Sequence, residues 1–171
     1  DGLISTKSDK LNDDLMSSLG FRDNKQRIRD IVDWPPAQKD TGWKLATEQG
    51  ERDGYDMVPV NTVVNSYHYI SLKMMSEIAG WLNKKNDSAF FFKKSELVRY
   101  SVNSKLFNRN KGIYLDGEKS AHSSLHANMF PLAFGIVPAE YVKSVVSFIK
   151  SRGMACSVYG AQFLLEGLYK V

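Results

Sequence analysis

The stretch VPVNTVVNSYHYISLKMMSEIAGWLNK, residues 58–84, decides how this chain is read. Its apolar side chains fall at Val60, Val63, Val64, Tyr67, Ile70, Met74, Ile78 and Leu82. Steps of three and four put them on one stripe of an α-helix, sustained for roughly six turns at about 3.6 residues per turn. A strand would alternate every second residue, and this stretch does not.

Downstream, the same period returns in shorter pieces. NDSAFFFKKSELVRYSVNSKLFN, residues 86–108, offers Asp87 or Ser88 as an N-cap and places Phe91, Val98, Val102 and Leu106 on one face. RNKGIYLDGEKSA, residues 109–121, reads as a loop. HSSLHANMFPLAFG, residues 122–135, reads as a short helix stopped by Gly135. VPAEYVKSVVSFIKSRG, residues 137–153, has Pro138 at its first helical position and Gly153 past its end, with Tyr141, Val142, Val145, Phe148 and Ile149 apolar. SVYGAQFLLEGLYKV, residues 157–171, closes the series with Val158, Ala161, Leu164, Leu165 and Leu168 on one side. The class is all-α, built of helical hairpins over residues 58–171. No repeat near 34 residues with a shared motif supports a tetratricopeptide array.

Residues 1–57 are different. They hold Trp34, Trp43 and the Pro35-Pro36 pair, which can continue neither a helix nor a central strand. This leading segment reads as a long structured loop with one or two helical turns, and long loops in compact domains often carry function.

Composition excludes several classes. The net charge of +4 comes from 23 basic and 19 acidic residues, and the densest cations, Lys84, Lys85, Lys93 and Lys94, suit a solvated helix face. No concentrated basic stripe points to nucleic acid. The single cysteine, Cys156, allows no disulfide within the chain and no cysteine-rich zinc site, and reads as a small buried residue. No apolar run approaches the roughly 18 residues of a membrane span. The chain opens at Asp1 without a signal-peptide pattern, so the compartment, cytoplasmic or periplasmic, is not set by it. An apolar final helix running to Val171 leads to the expectation of a piece of a longer chain.

His122 and His126 stand four apart and share a helix face if the helix begins by residue 122. A metalloprotease zinc site would want Glu at 123, where Ser stands, and a third ligand. No metal and no cofactor are expected. The alternative to a ligand role is capping by Ser120, Ser123 or Ser124, with the histidines satisfied internally. Asp116, before Gly117, either faces a substrate or makes the turn that Asp-Gly favours.

Taken in order, IVDWPP, the Tyr- and Met-rich helix, NKGIYLDGEKSAHSSLHANMFPLAFGIVPAE and RGMACSVYGAQFLLEGLY resemble the catalytic domain of bacterial α-L-rhamnosidases, which are six-hairpin glycosidases. The resemblance runs over residues 1–171 and is strongest at 33–35, 122–138 and 153–168. It implies part of an (α/α)6 barrel whose remainder lies in a longer parent, and a rhamnoside, a carbohydrate, as substrate. It implies an inverting hydrolysis by two carboxyl groups. The family's general-acid motif, similar to Asp-Glu-Arg-x-Gly-Trp, and its Trp-Glu-Arg-type general-base motif are both missing here, so neither catalytic group is assigned and the chain alone is expected to be inactive. What the resemblance carries over is a sugar-binding wall. Trp34 would lie against the apolar face of the sugar, and Asp33 would accept from hydroxyls or position its neighbour. His126 would lie near the cavity with His122 structural, and Tyr159 would reach the mouth or pack. The alternative for Trp34 is a hydrophobic plug beneath the loop. A different sugar in the same fold, or a helical module that binds proteins, are the competing readings. A partial barrel would expose apolar faces, so self-association of the isolated chain is expected.

Overall fold

A computed structural model describes residues 1–21, 30–33 and 54–171. In chain order the elements are α1 (Asp13–Ser18), α2 (Thr62–Trp81), α3 (Lys85–Lys105), a two-stranded antiparallel ribbon of β1 (Phe107–Asn108) and β2 (Ile113–Tyr114), α4 (Leu125–Ala133), a 3-10 turn (Ala139–Tyr141) leading into α5 (Val142–Arg152), and α6 (Val158–Tyr169). The all-α reading holds among the described residues, with α2–α3 and α4–α5 as hairpins and α6 against α4.

Three helices run side by side in one direction. The first residues of α2 and α4 meet at Asp116, whose carbonyl accepts from the Thr62 amide at 2.8 Å and whose carboxylate accepts from the Ser124 amide at 2.8 Å. The starts of α4 and α6 meet at Asp33, which binds His126 and Ser157. At the opposite end Lys170 Nζ reaches the Ala133 carbonyl at 3.0 Å, so α4 and α6 finish together as well. The helices α3 and α5 run back. Ser76 of α2 donates to the Ser88 carbonyl near the start of α3, and Arg152 at the end of α5 donates to the Ser123 carbonyl ahead of α4.

The centre is α4. All nine of its residues are buried, Pro131 included. Asn128 on this helix clamps the ribbon: its Oδ1 accepts from the Tyr114 amide at 2.9 Å and its Nδ2 donates to the Tyr114 carbonyl at 3.2 Å. Such pairing satisfies β2 backbone groups that would otherwise be orphaned in the core. Leu106, Tyr114, Leu125, Met129, Phe130 and Ile149 fill the space around it, each fully or almost fully buried.

Several local expectations change. The helix α3 starts at Lys85, ahead of Asp87 and Ser88, and its N-cap Lys84 makes no side-chain cap bond. Pro138 caps the 3-10 turn rather than opening α5. The loop at 109–121 contains strand β2. The short helix begins after Ser124, whose side chain caps it by accepting from the Ala127 amide at 3.0 Å, so His122 lies outside it and shares no helix face with His126.

The largest difference concerns the stripe that defined α2. Met74, Ile78 and Leu82 are exposed, while Ser66, Tyr69, Ser76 and Ala79 are buried. Small hydroxyl side chains let α3 approach closely and settle their own hydroxyls on backbone carbonyls, Ser66 on Thr62 and Ser76 on Ser88. In α6 likewise Val158 and Leu165 are exposed, at 92% and 58%, and the buried line is Gly160, Leu164 and Gly167. The glycines win that face because α4 passes too near for a side chain: a Cβ on Gly167 would lie 3.1 Å from the Ala133 nitrogen.

Candidate functional site

Two aspartates hold the helix starts together, and each does so with buried charge. Asp116 is wholly buried. Its Oδ1 accepts from the Ser124 amide; its Oδ2 accepts from the Asp56 amide at 2.8 Å and from His122 Nδ1 at 2.5 Å. Its carbonyl takes the Tyr55 hydroxyl at 2.7 Å besides the Thr62 amide. A carboxylate at helix starts is favourable because unsatisfied amides and the helix dipole both point positive there. Gly117 follows because the Asn61 strand bridge presses in: a Cβ would lie 2.3 Å from the Val60 carbonyl oxygen. Asn61, the N-cap of α2, also donates to Asp30 at 2.6 Å. Burial pushes the Asp30 carboxyl above its ordinary value, and the Asn61 donor opposes this in part.

Asp33 repeats the device between α4 and α6. Its Oδ2 accepts from His126 Nε2 at 2.6 Å and from the Ser157 amide at 2.8 Å, and its Oδ1 accepts from the Ser157 hydroxyl. Ser157 is the N-cap of α6, with Oγ also accepting from the Gly160 amide. Burial alone would raise the Asp33 carboxyl, yet the donors from His126 and Ser157 outweigh it and hold the group below the usual carboxylate range. Room for the carboxylate comes from Gly160, where a Cβ would lie 2.9 Å from Cys156 Cβ and 3.1 Å from Asp33 Oδ2.

Beside this junction stands an aromatic cluster from all three parallel helices. Tyr67 of α2 packs on Phe130 of α4 and on Phe134 at its C-cap, with ring centres 5.1 Å away in each case, and on Phe163 of α6. Tyr159 of α6 packs on Phe130 and Phe163. The two phenols meet hydroxyl to hydroxyl. Tyr159 is 47% exposed and Tyr67 half-buried. Burial raises the Tyr67 hydroxyl far above its ordinary value, and the Tyr159 contact and the negative field of Asp33 push it further the same way. Tyr67 therefore presents a neutral polar edge on an apolar base.

Of the residues singled out from sequence, the structure brings Asp33, His126 and Tyr159 to this one end. Their exposures differ. The Asp33 side chain is only 3% exposed with both oxygens engaged, and the His126 side chain is fully buried. His126 thus meets Asp33 rather than the surface, and its Nδ1 has no partner among the described residues. Tyr159 is the open one. Trp34 and Trp43 lie outside the described residues. His122 is partly exposed on Asp116. Sequence reasoning missed Ser157 and Tyr67. A serine just ahead of an apolar run is an N-cap signal that marks Ser157, whereas Tyr67 was absorbed into the apolar stripe of α2. Cys156 is buried, and no group of three His, Cys, Asp or Glu side chains converges for a metal among the described residues. Nor is any helix among them long and apolar enough to cross a membrane.

No curated protein matches the chain. The profile of the bacterial alpha-L-rhamnosidase 6 hairpin glycosidase domain does match, from residue 9 to residue 171, so it takes in both aspartate junctions, the aromatic cluster and every helix described above. With its paired helices and the N-terminal ends of α2, α4 and α6 gathered at one pole, the chain belongs to the bacterial α-L-rhamnosidase six-hairpin glycosidase family.

Proposed function

We propose that the protein is a hydrolase of terminal α-L-rhamnosides that inverts configuration, and that this chain supplies part of the wall of its sugar site. The observation that carries the reading is the gathering, at one end of three parallel helices, of a half-exposed Tyr67–Tyr159 surface beside the Asp33 junction. A 6-deoxysugar has a methyl group and a C–H face, which aromatic rings cover with large area and little entropy loss. Trp34, adjacent to the anchored Asp33, adds an indole to the same wall, and Asp33 serves it by position rather than by touching the sugar. The two carboxyl groups that inversion requires, about 6.5–9.5 Å apart to admit a water, come from segments other than these 171 residues, in keeping with the missing acid and base motifs.

The rest of an (α/α)6 barrel would cover the apolar faces that stand open. On α2 these are Met74, Ile78 and Trp81; on α6 they are Val158, Leu165 and Tyr169, with Trp81 80% and Tyr169 91% exposed. Without that cover, faces of this kind promote self-association.

Hydrolysis of an aryl α-L-rhamnoside by the intact parent protein tests the reading, with Trp34→Ala and the 171-residue chain alone as companions. The parent should be active, Trp34→Ala should lose most of kcat/KM while remaining folded, and the chain alone should be inactive. A parent that cleaves a different glycoside and not this one would sink the substrate; activity in the chain alone would sink the placement of the catalytic pair.

A further inference from the structure

The geometry points to the Tyr67–Tyr159 hydroxyl pair as a binding subsite for one hydroxyl group of a neutral sugar, with Tyr67 a substrate-contacting residue alongside Tyr159. The inference rests on the glycosidase reading above and names the atoms that would meet the ligand.

Hydrogen-bond inventory makes the argument. Two phenols carry two O–H groups, and one of them is spent between the rings. The other remains for an outside acceptor, and the oxygens keep lone pairs for an outside donor. A sugar hydroxyl is both donor and acceptor, so it can close a cyclic arrangement with the pair. A carboxylate ligand would find only one donor and would face the field of Asp33. A cation would find no ionised oxygen on Tyr67, whose phenol burial keeps protonated.

The pair is also held rigidly, which is what a subsite needs. The Tyr67 ring is wedged against Phe130, Phe134 and Phe163. Tyr159 lies two residues beyond Ser157, and Ser157 is tied to Asp33 through both its amide and its hydroxyl. The rings are fixed from below while Tyr159 stays open to solvent.

Calorimetric titration of the intact parent protein with L-rhamnose and a panel of other neutral monosaccharides tests this, comparing wild type, Tyr67→Phe, Tyr159→Phe and the double variant. Phenylalanine keeps both rings and their packing, and urea midpoints report separately on folding. Each single change should weaken binding by about three- to tenfold, the size of one lost hydrogen bond. The double change should cost less than the product of the two, because the hydroxyls act as a unit. If wild type binds L-rhamnose and both single variants bind it as tightly, the subsite is wrong while the rhamnoside reading survives. If wild type prefers another monosaccharide and the variants lose that one, the subsite stands and the rhamnoside reading falls. Binding of no monosaccharide by wild type would overturn both.

Discussion

Asp116 and Asp33 occupy matching places, one between the starts of α2 and α4 and the other between the starts of α4 and α6, and each takes a histidine, yet the balance of amide and side-chain donors differs. Two of the donors to the Asp116 carboxylate are backbone amides, those of Asp56 and Ser124. Asp33 takes one amide and two side chains, from Ser157 and His126. A backbone amide cannot turn to find another acceptor, whereas a hydroxyl or an imidazole can. Asp116 is therefore the lock of the fold. Asp33 is a strut set beside the open aromatic surface, and the comparison teaches that one device can close an inner seam of the fold and also stand beside an open surface.

Breaking the lock should have the largest effect. Asp116→Ala strands the buried Ser124 amide and the part-buried Asp56 amide and should cost about 3 kcal/mol in urea unfolding. Asp33→Ala should cost less, about 2 kcal/mol, because Ser157 and His126 can reorient. Next comes Gly160→Ala, which sharpens the contrast by pressing on Asp33 from behind: a Cβ 2.9 Å from Cys156 Cβ forces a shift worth about 1–2 kcal/mol. Ser157→Ala removes the cap of α6 and one donor to Asp33, for about 1 kcal/mol, and should loosen Tyr159 without unfolding the chain.

The smallest effect is in acid. A folded-state carboxyl held below its unfolded value stabilises the protein fully above the unfolded pKa of about 3.9, and that contribution is lost as pH falls through the lower folded value. Asp33→Asn should flatten the fall in stability below about pH 4 relative to wild type. An unchanged acid limb would mean that Asp33 is not held as described.

Much of the fold was legible from residues alone because helical period and stop signals are local. The five helices from Thr62 onward follow them, with Gly135 and Gly153 at positive φ just beyond α4 and α5. Which face turns inward was not legible in α2 and α6. There close helix approach selects serine and glycine for the buried side, and Met74, Ile78, Val158 and Leu165 are left facing out. The site was half legible. His126 and Asp33 stood out as chemistry-bearing residues, but only tertiary structure joins residues 93 positions apart and turns two expected sugar contacts into one buried pair. Tyr67 was hidden because an aromatic residue on an apolar stripe looks like core until a second hydroxyl is found against it.

The most direct test sets Asp33→Asn beside Asp116→Asn in the full-length protein, measuring kcat/KM on an aryl α-L-rhamnoside with each variant kept well below its own melting temperature. A strut beside the site predicts a loss of about tenfold or more for Asp33→Asn and a change within about twofold for folded Asp116→Asn. Equal losses at the two positions, or full activity in Asp33→Asn, would contradict the distinction between lock and strut.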